Sequence, residues 1–236
     1  MRPATAADQN GHVADAELYR EARTALVALA RDQIDELDRQ SPATPAWRVR
    51  DVLAHVAGVC DDIVHGNMEG VATDAWTAAQ VAKRRSWPTD EILVDWERNG
   101  EAVDALIAGL PAGRSGQLLF DTWTHEQDVR GALGIPGGRE SAVLARTWEW
   151  ATEVMDGRDQ GERRAALGLV ADGATREVGV GRAESFVHTS RFEFLRAMSG
   201  RRSVAQVSRW AWDGPVDAGR ILLAPFFRAA TVDLRE

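Results

Sequence analysis

The sequence of 236 residues contains one cysteine and one tyrosine, and its formal net charge is −8. One cysteine excludes an internal disulfide and a zinc site built from several cysteines. The negative charge gives no overall positive field that would attract nucleic acid or an anionic membrane. No run of about 18 apolar residues is present, and residues 1–17 lack the apolar stretch of a secretory signal. We therefore expect a cytoplasmic protein that binds neither nucleic acid nor membrane.

The composition is that of a globular protein, with 44% hydrophobic and 27% charged residues. Apolar residues recur at helical spacing over residues 14–39, 47–67, 91–110 and 115–133, and a shorter helix is predicted over 75–84. Two prolines between residues 41 and 47 separate the first two helices. Four long helices with mostly short connections predict a helical bundle.

The pattern changes at residues 134–139, where the letters GIPGGR combine residues that end helices and form exposed connections. Beyond them we predict a helix over 141–155, two strands within 163–173 and 175–181 joined at Asp172 and Gly173, and a helix over 185–200. The segment from Ser208 gives no clear pattern. The predicted domains are a helical bundle over residues 12–136 and a smaller α+β domain over residues 140–236.

The segment FDTWTHEQDVRGALG, residues 120–134, carries the clearest chemical pattern. Asp121 and His125 are four residues apart, so on a helix they lie on one face and can bind the same cation. His55 lies within the apolar stripe of the second predicted helix and is the best third donor. Two histidines and a carboxylate leave coordination positions open for water or substrate, as in catalytic metal sites. Zinc is the first choice of metal, followed by nickel, manganese or iron.

A structural interpretation of the same residues stays open at this point. An Asp-x-x-x-His pair also occurs as two solvated neighbours on a helix, and a histidine on an apolar face is often a hydrogen-bonded core residue. Asp128 could orient the His125 ring as a hydrogen-bond partner, but an exposed charge on the helix is the preferred interpretation. Cys60 lies about 140° around the helix from His55 and is predicted to be a small buried residue that does not face the metal.

Three arginines are candidate catalytic residues because a guanidinium can hold a carboxylate of substrate or cofactor with two parallel hydrogen bonds. Arg130 lies five residues beyond His125, and Arg201 and Arg202 follow the last predicted helix. For the adjacent pair, basic residues placed at the end of a helix are an equally good interpretation.

Three segments also resemble a known family. WRVRDVLAHVAG, residues 47–58, resembles the W-x-V-x-D-hydrophobic-x-x-H signature of DinB-like metal-binding bundles. DTWTHEQDVRGALG, residues 121–134, resembles the second metal motif of the mycothiol-dependent maleylpyruvate isomerase family of actinobacteria, and SGRRSVAQ, residues 199–206, resembles its Gly-Arg-Arg-Ser-x-x-Gln segment. The resemblance implies an α+β protein with an N-terminal DinB-like four-helix bundle and a smaller C-terminal α/β domain. It also implies His55, Asp121 and His125 as metal ligands.

The function that the resemblance implies is a metal-dependent thiol transferase or isomerase. A divalent ion would activate the thiol of mycothiol for attack on a small electrophile. Two alternatives stay open: a metal-dependent hydrolase or lyase that activates water, and a non-catalytic DinB-like binding protein.

Overall fold

The structure is a computed structural model that describes residues 6–110, 114–222 and 227–236. The chain divides into two compact units, Met1–Gly137 and Gly138–Glu236. Among the described residues, no helix combines the length and the apolar character needed to cross a membrane.

The first unit is helical. Its elements are α1 (Ala6–Asp32), α2 (Val49–His65), α3 (Asp74–Lys83), α4 (Thr89–Ile107) and α5 (Arg114–Leu133). The four long helices form the bundle: α2 packs on α4 and α5, α1 packs on α4 and α5, and the short α3 packs on α2. Large apolar side chains from every long helix are fully buried between them, among them Leu26, Leu53, Leu93, Trp96 and Trp123.

The first helix ends earlier than residue 39, where the sequence pattern placed its end. It stops at Asp32, and a single 3₁₀ turn follows at Ile34–Glu36. Ile34, an apolar residue within the predicted helix, is 39% exposed, whereas Leu37 is buried. The tighter turn changes the direction of the chain, so that Leu37 reaches the core without a continuous helix.

Helix α2 has a side-chain hydrogen bond at its N-terminus and a glycine at its C-terminus. The Asp51 carboxylate accepts a hydrogen bond from the Arg48 backbone N–H at 3.0 Å, which satisfies a donor at the helix N-terminus. Gly66 ends the helix in the left-handed conformation with φ 73°. The aspartate of the W-x-V-x-D signature thus fixes where α2 starts, and His55 lies on the second turn that follows.

The second unit is mixed. Its elements are α6 (Ala142–Gly161), β1 (Ala165–Ala171), β2 (Ala174–Val178), β3 (Val180–Thr189), α7 (Arg191–Met198), α8 (Val204–Ser208), β4 (Ala211–Asp213) and α9 (Ala218–Ile221). The sheet order is β2-β1-β3-β4. Strand β1 pairs antiparallel with β2 and parallel with β3, and β4 pairs antiparallel with β3. The predicted turn at Asp172 and Gly173 joins β1 to β2.

The prediction of one helix over residues 185–200 is wrong in its first part. Residues 180–189 form β3, and α7 starts only after Ser190, whose hydroxyl accepts a hydrogen bond from the Glu193 N–H at 3.1 Å. Phe186 lies opposite Gly168 of β1, where the missing side chain leaves room for its ring. His188, placed by the sequence pattern at the start of a helix, instead lies in β3 and contacts Asp213 of β4 at 2.9 Å. Pairing with β1 and β4 outweighs the local helical pattern.

Helix α6 continues to Gly161, beyond the predicted end at residue 155.

The fold class predicted from the sequence is confirmed: the protein is α+β, with an N-terminal four-helix bundle and a smaller C-terminal α/β unit.

Candidate metal centre

Three side chains of the first unit bring one potential ligand atom each to the same place. His55 comes from α2, and Asp121 and His125 come from α5. Their ligand atoms all lie within 4.8 Å of one another. Asp121 Oδ1 is 3.7 Å from His55 Nε2 and 3.6 Å from His125 Nε2. The structure thus brings together the three residues that the sequence motifs selected.

The donor set fits a divalent ion. Separations of 3.6 and 3.7 Å are too long for direct hydrogen bonds between the carboxylate and the rings. They are close to the spacing of about 3.4 Å between ligand atoms that surround one tetrahedral zinc at about 2.1 Å. Two imidazole nitrogens and one carboxylate oxygen also match the ligand types of catalytic zinc, nickel, manganese and iron sites.

The two histidines of the site are buried, and the aspartate is partly exposed. His55 and His125 are 5% and 6% exposed, whereas the Asp121 side chain retains 32% exposure. Burial lowers the pKa of His125, and this effect is opposed by its hydrogen bond to Asp128 and by the Asp121 charge. A lowered pKa favours the neutral ring, which is the form that binds metal.

Each histidine has a hydrogen-bond partner on its other ring nitrogen. His125 Nδ1 lies 3.0 Å from Asp128 Oδ2, and Asp128 is fully buried. His55 Nδ1 lies 2.7 Å from Gln80 Oε1, on α3. Because a carboxylate and a carbonyl oxygen can only accept, each Nδ1 donates its proton, and in a neutral ring Nε2 is then left with the lone pair.

Trp47 covers the two rings from the segment before α2. Its ring centroid is 5.3 Å from that of His55 and 6.2 Å from that of His125. The two histidine rings meet edge to face with centroids 4.8 Å apart. This half-buried tryptophan is therefore in aromatic contact with both histidine rings of the site.

Two of these contacts were missed or misjudged from the sequence. The interpretation of Asp128 as an exposed charge is wrong, because α5 is buried from residue 122 to residue 129 and the carboxylate reaches back to His125. Its position three residues after His125 was the available signal. Gln80 had no such signal, since α3 approaches His55 only through tertiary packing.

The other candidates lie apart from the three ligand atoms. Cys60 is buried, and its sulfur is 2.7 Å from the Tyr19 hydroxyl. Burial raises the pKa of the Cys60 thiol to about 11. The His65 side chain is 60% exposed and contacts Asp61 of the same helix. Cys60 was predicted not to face the metal, and the structure gives both residues other contacts.

The three arginines have protein partners in their own units. Arg130 donates to Glu126 at 2.8 Å and keeps 17% of its side chain exposed. Arg201 donates to the Ser199 carbonyl at 2.5 Å. Arg202 donates to Glu193 at 2.6 and 2.8 Å, and its side chain is 2% exposed. A role in binding an anion stays a prediction for all three.

Comparison with known proteins gives one informative match. No protein-family model matches the sequence, and no curated protein matches it. Among solved structures, the mycothiol-dependent maleylpyruvate isomerase is similar with a TM-score of 0.53 and 18% identity, over 82% of this chain and 89% of that one. A substituted form of that enzyme has a TM-score of 0.49 and 17% sequence identity over the same shares of the two chains. This TM-score is too low to support an argument. At this identity the likeness establishes the fold: this chain has the fold of the mycothiol-dependent maleylpyruvate isomerase.

Proposed function

We propose that this protein is a metal-dependent enzyme that uses a low-molecular-weight thiol, mycothiol or a close relative, in a transferase or isomerase reaction on a small electrophile. The observation that carries the proposal is the convergence of His55, Asp121 and His125 on one point, with all ligand atoms within 4.8 Å. The shared fold supports it, because a solved structure of this fold is that of a mycothiol-dependent isomerase.

The chain's own residues prepare this site for a cation and a small anion. The two hydrogen-bonded imidazoles present Nε2 lone pairs, and Asp121 supplies a negative charge that neutralises part of a divalent ion. A divalent ion, when bound, lowers the pKa of a thiol or water that it coordinates. The Asp121 side chain is partly exposed, and the proposed thiol and electrophile approach the site past this residue.

The thiol has to come from outside the chain. Cys60 is the only cysteine, it is fully buried against Tyr19, and its pKa is raised to about 11 by burial. A neutral, inaccessible thiol cannot act as the nucleophile at neutral pH. The proposal therefore includes a soluble thiol as cosubstrate.

The proposal includes an anion-binding residue for substrate or thiol. Arg130 is the best candidate of the three arginines, because part of its side chain is exposed and, among the described side chains, its carboxylate partner is Glu126. Arg201 and Arg202 would first have to give up buried contacts inside the C-terminal unit.

Elemental analysis of purified protein tests the metal, with about one divalent ion expected per chain. His55→Ala and His125→Ala should each lose most of that metal while keeping their helical circular dichroism. His65→Ala is the matched control, since His65 lies on the same helix as His55 with 60% exposure, and it should keep the metal. Full metal content in both site variants would refute the ligand assignment.

Cobalt substitution tests the thiol. Adding mycothiol or a simple thiol to the cobalt protein should produce a sulfur-to-cobalt charge-transfer band, and Cys60→Ser should leave that band unchanged. A band that disappears with Cys60→Ser would assign the signal to the protein's own sulfur. A fully loaded protein without any band would favour the hydrolase or lyase that activates water. A protein that takes up no metal would favour the non-catalytic binding protein.

A further inference from the structure

We propose that Gln80 is a positioning residue for the metal centre: its amide links Asp62 to His55 and holds His55 in the tautomer that offers Nε2 as the ligand atom. The inference rests on the proposed metal site and extends it to α3, a helix outside the two sequence motifs. The residue acts through His55 and does not touch the three converging ligand atoms.

The direction of the link follows from which groups can donate. Gln80 Nε2 lies 2.7 Å from Asp62 Oδ2, and an ionised carboxylate can only accept, so the amide nitrogen must face Asp62. The amide oxygen then faces His55 Nδ1 at 2.7 Å. Because that oxygen can only accept, Nδ1 carries the proton and Nε2 is left with its lone pair.

The position of Gln80 is fixed by close packing between α2 and α3. The residue is 3% exposed. A Cβ atom built on Gly58 would lie 2.5 Å from Gln80 Cβ, so only glycine at this place on α2 allows the helices to approach so closely. Lys83 and Arg84, at the end of α3, both pair with Asp61 of α2. These contacts hold α3 against the His55 side of α2.

The two histidines therefore differ in the charge of their supporting partner. His125 donates to a buried carboxylate, Asp128, whereas His55 donates to a neutral amide. A carboxylate partner makes an imidazole a stronger ligand than an amide does. Gln80 thus fixes the His55 ring without adding a third negative charge beside Asp121 and Asp128.

The first measurement is the tautomer of His55 in metal-free protein, read by long-range ¹H–¹⁵N correlation under conditions where the ring is neutral. The wild type should show Nδ1 protonated and Nε2 unprotonated. Gln80→Ala should give a mixture of both tautomers, and its affinity for Co²⁺ or Zn²⁺, measured by chelator competition, should fall about 10- to 100-fold. An unchanged tautomer together with an unchanged metal affinity in Gln80→Ala would overturn the inference.

A double substitution at Gln80 and Asp62 separates the effect of their hydrogen bond on His55 from the effect of side-chain packing. Gln80→Glu alone places a carboxylate against the Asp62 carboxylate, whereas Gln80→Glu with Asp62→Asn restores a donor and an acceptor. The double variant should recover the wild-type tautomer and bind metal at least as tightly as the wild type. Failure to recover either property would argue against a role for the amide link.

Two further variants keep the test decisive if Gln80→Ala folds poorly. Asp62→Ala removes the group that orients the amide at a partly exposed position, and a smaller shift toward mixed tautomers is expected. Asn99→Ala, which removes a buried amide that donates to Asp95 on α4, is the matched control and should leave the His55 tautomer unchanged. Because the tautomer is read without metal, a wild type that binds no metal would refute the proposed function and still leave the role of Gln80 measurable.

Discussion

At the scale of single residues, the burial of Cys60 makes its thiol inert. Its sulfur is 2.7 Å from the Tyr19 hydroxyl, which itself lies 3.4 Å from the Trp96 indole nitrogen. All three side chains are fully buried. Burial raises the pKa of Tyr19 as well as that of Cys60, because neither anion would be solvated there.

The raised pKa of Cys60 predicts a loss of stability at alkaline pH. The thiol has an ordinary pKa of 9.0 and a folded value of about 11, so between these values the unfolded chain releases its proton first. The unfolded state then binds fewer protons than the folded state, and stability falls as pH rises. From pH 9 to pH 10 the free energy of unfolding should fall by about 1 kcal/mol on account of Cys60.

Urea unfolding at pH 9 and pH 10 measures this effect, with Cys60→Ala as the reference. Tyr19 has an ordinary pKa of 10.0, so its own contribution grows above this window. The fall in the free energy of unfolding from pH 9 to pH 10 should be smaller in Cys60→Ala than in the wild type. Equal pH dependence in the two proteins would mean that the thiol is not protected from ionisation.

The residues that define the metal centre could be predicted only in part. Asp121 and His125 could be predicted because residues four apart on a helix lie next to each other on the same face. His55 was recognisable because a polar residue interrupted an apolar stripe. Gln80 was not, since its relation to His55 depends on how α3 packs, and no spacing in the sequence encodes that distance.

At the scale of secondary structure, Gly58 controls the distance between α2 and α3. In most helices alanine is preferred to glycine by about 1 kcal/mol. Here the added methyl group would lie 2.5 Å from Gln80 Cβ and 2.7 Å from its Cγ, so α3 would have to move. Gly58→Ala should therefore destabilise the protein by about 1–3 kcal/mol, and it should weaken metal binding as Gln80 leaves His55.

Gly157→Ala on α6 provides the control for this prediction. It is also a helical glycine, but no atom lies within 4 Å of its built Cβ. This substitution should stabilise the protein by about 0.5–1 kcal/mol through helix propensity and leave metal binding unchanged. Thermal unfolding and chelator competition on both variants test the pair. Stabilisation by Gly58→Ala would contradict the close approach of the two helices.

The helices of the bundle were predictable because each carries a long apolar stripe, whereas β3 was not. Residues 185–189 hold aromatic and β-branched side chains in a short run followed directly by a helix. Over so few residues, helical and strand periodicities cannot be distinguished. The pairing with β1 and β4 decides the conformation, and both partners are distant in the sequence.

At the scale of the whole molecule, both units bury ion pairs as well as apolar side chains. The bundle buries tryptophan and leucine side chains between long helices. Besides the long helix α6, the C-terminal unit has short helices and a sheet of four strands among its described residues, and it buries ion pairs. Arg202 pairs with Glu193 and with Glu236, and Arg196 also pairs with Glu236.

Because of these pairs, the principal effect of changing Arg202 should be on the stability of the C-terminal unit. Arg202 is 2% exposed and Glu236 is 8% exposed, and removing one partner leaves part of a buried charge uncompensated. Arg202→Ala should lower the free energy of unfolding by about 3 kcal/mol. This value is near the lower end of the range for a broken buried ion pair, because Arg196 still pairs with Glu236.

The measurement compares unfolding and metal content in Arg202→Ala with those of Arg209→Ala. Arg209 forms an exposed pair with Asp233, with 62% and 43% of the two side chains accessible, so its loss should change stability little. Metal content should be unchanged in both variants, since His55, Asp121 and His125 all belong to the first unit. If Arg202→Ala instead folds as stably as the wild type and loses only its ability to bind thiol or substrate, then Arg202 is the anion-binding residue and its ion pairs are dispensable.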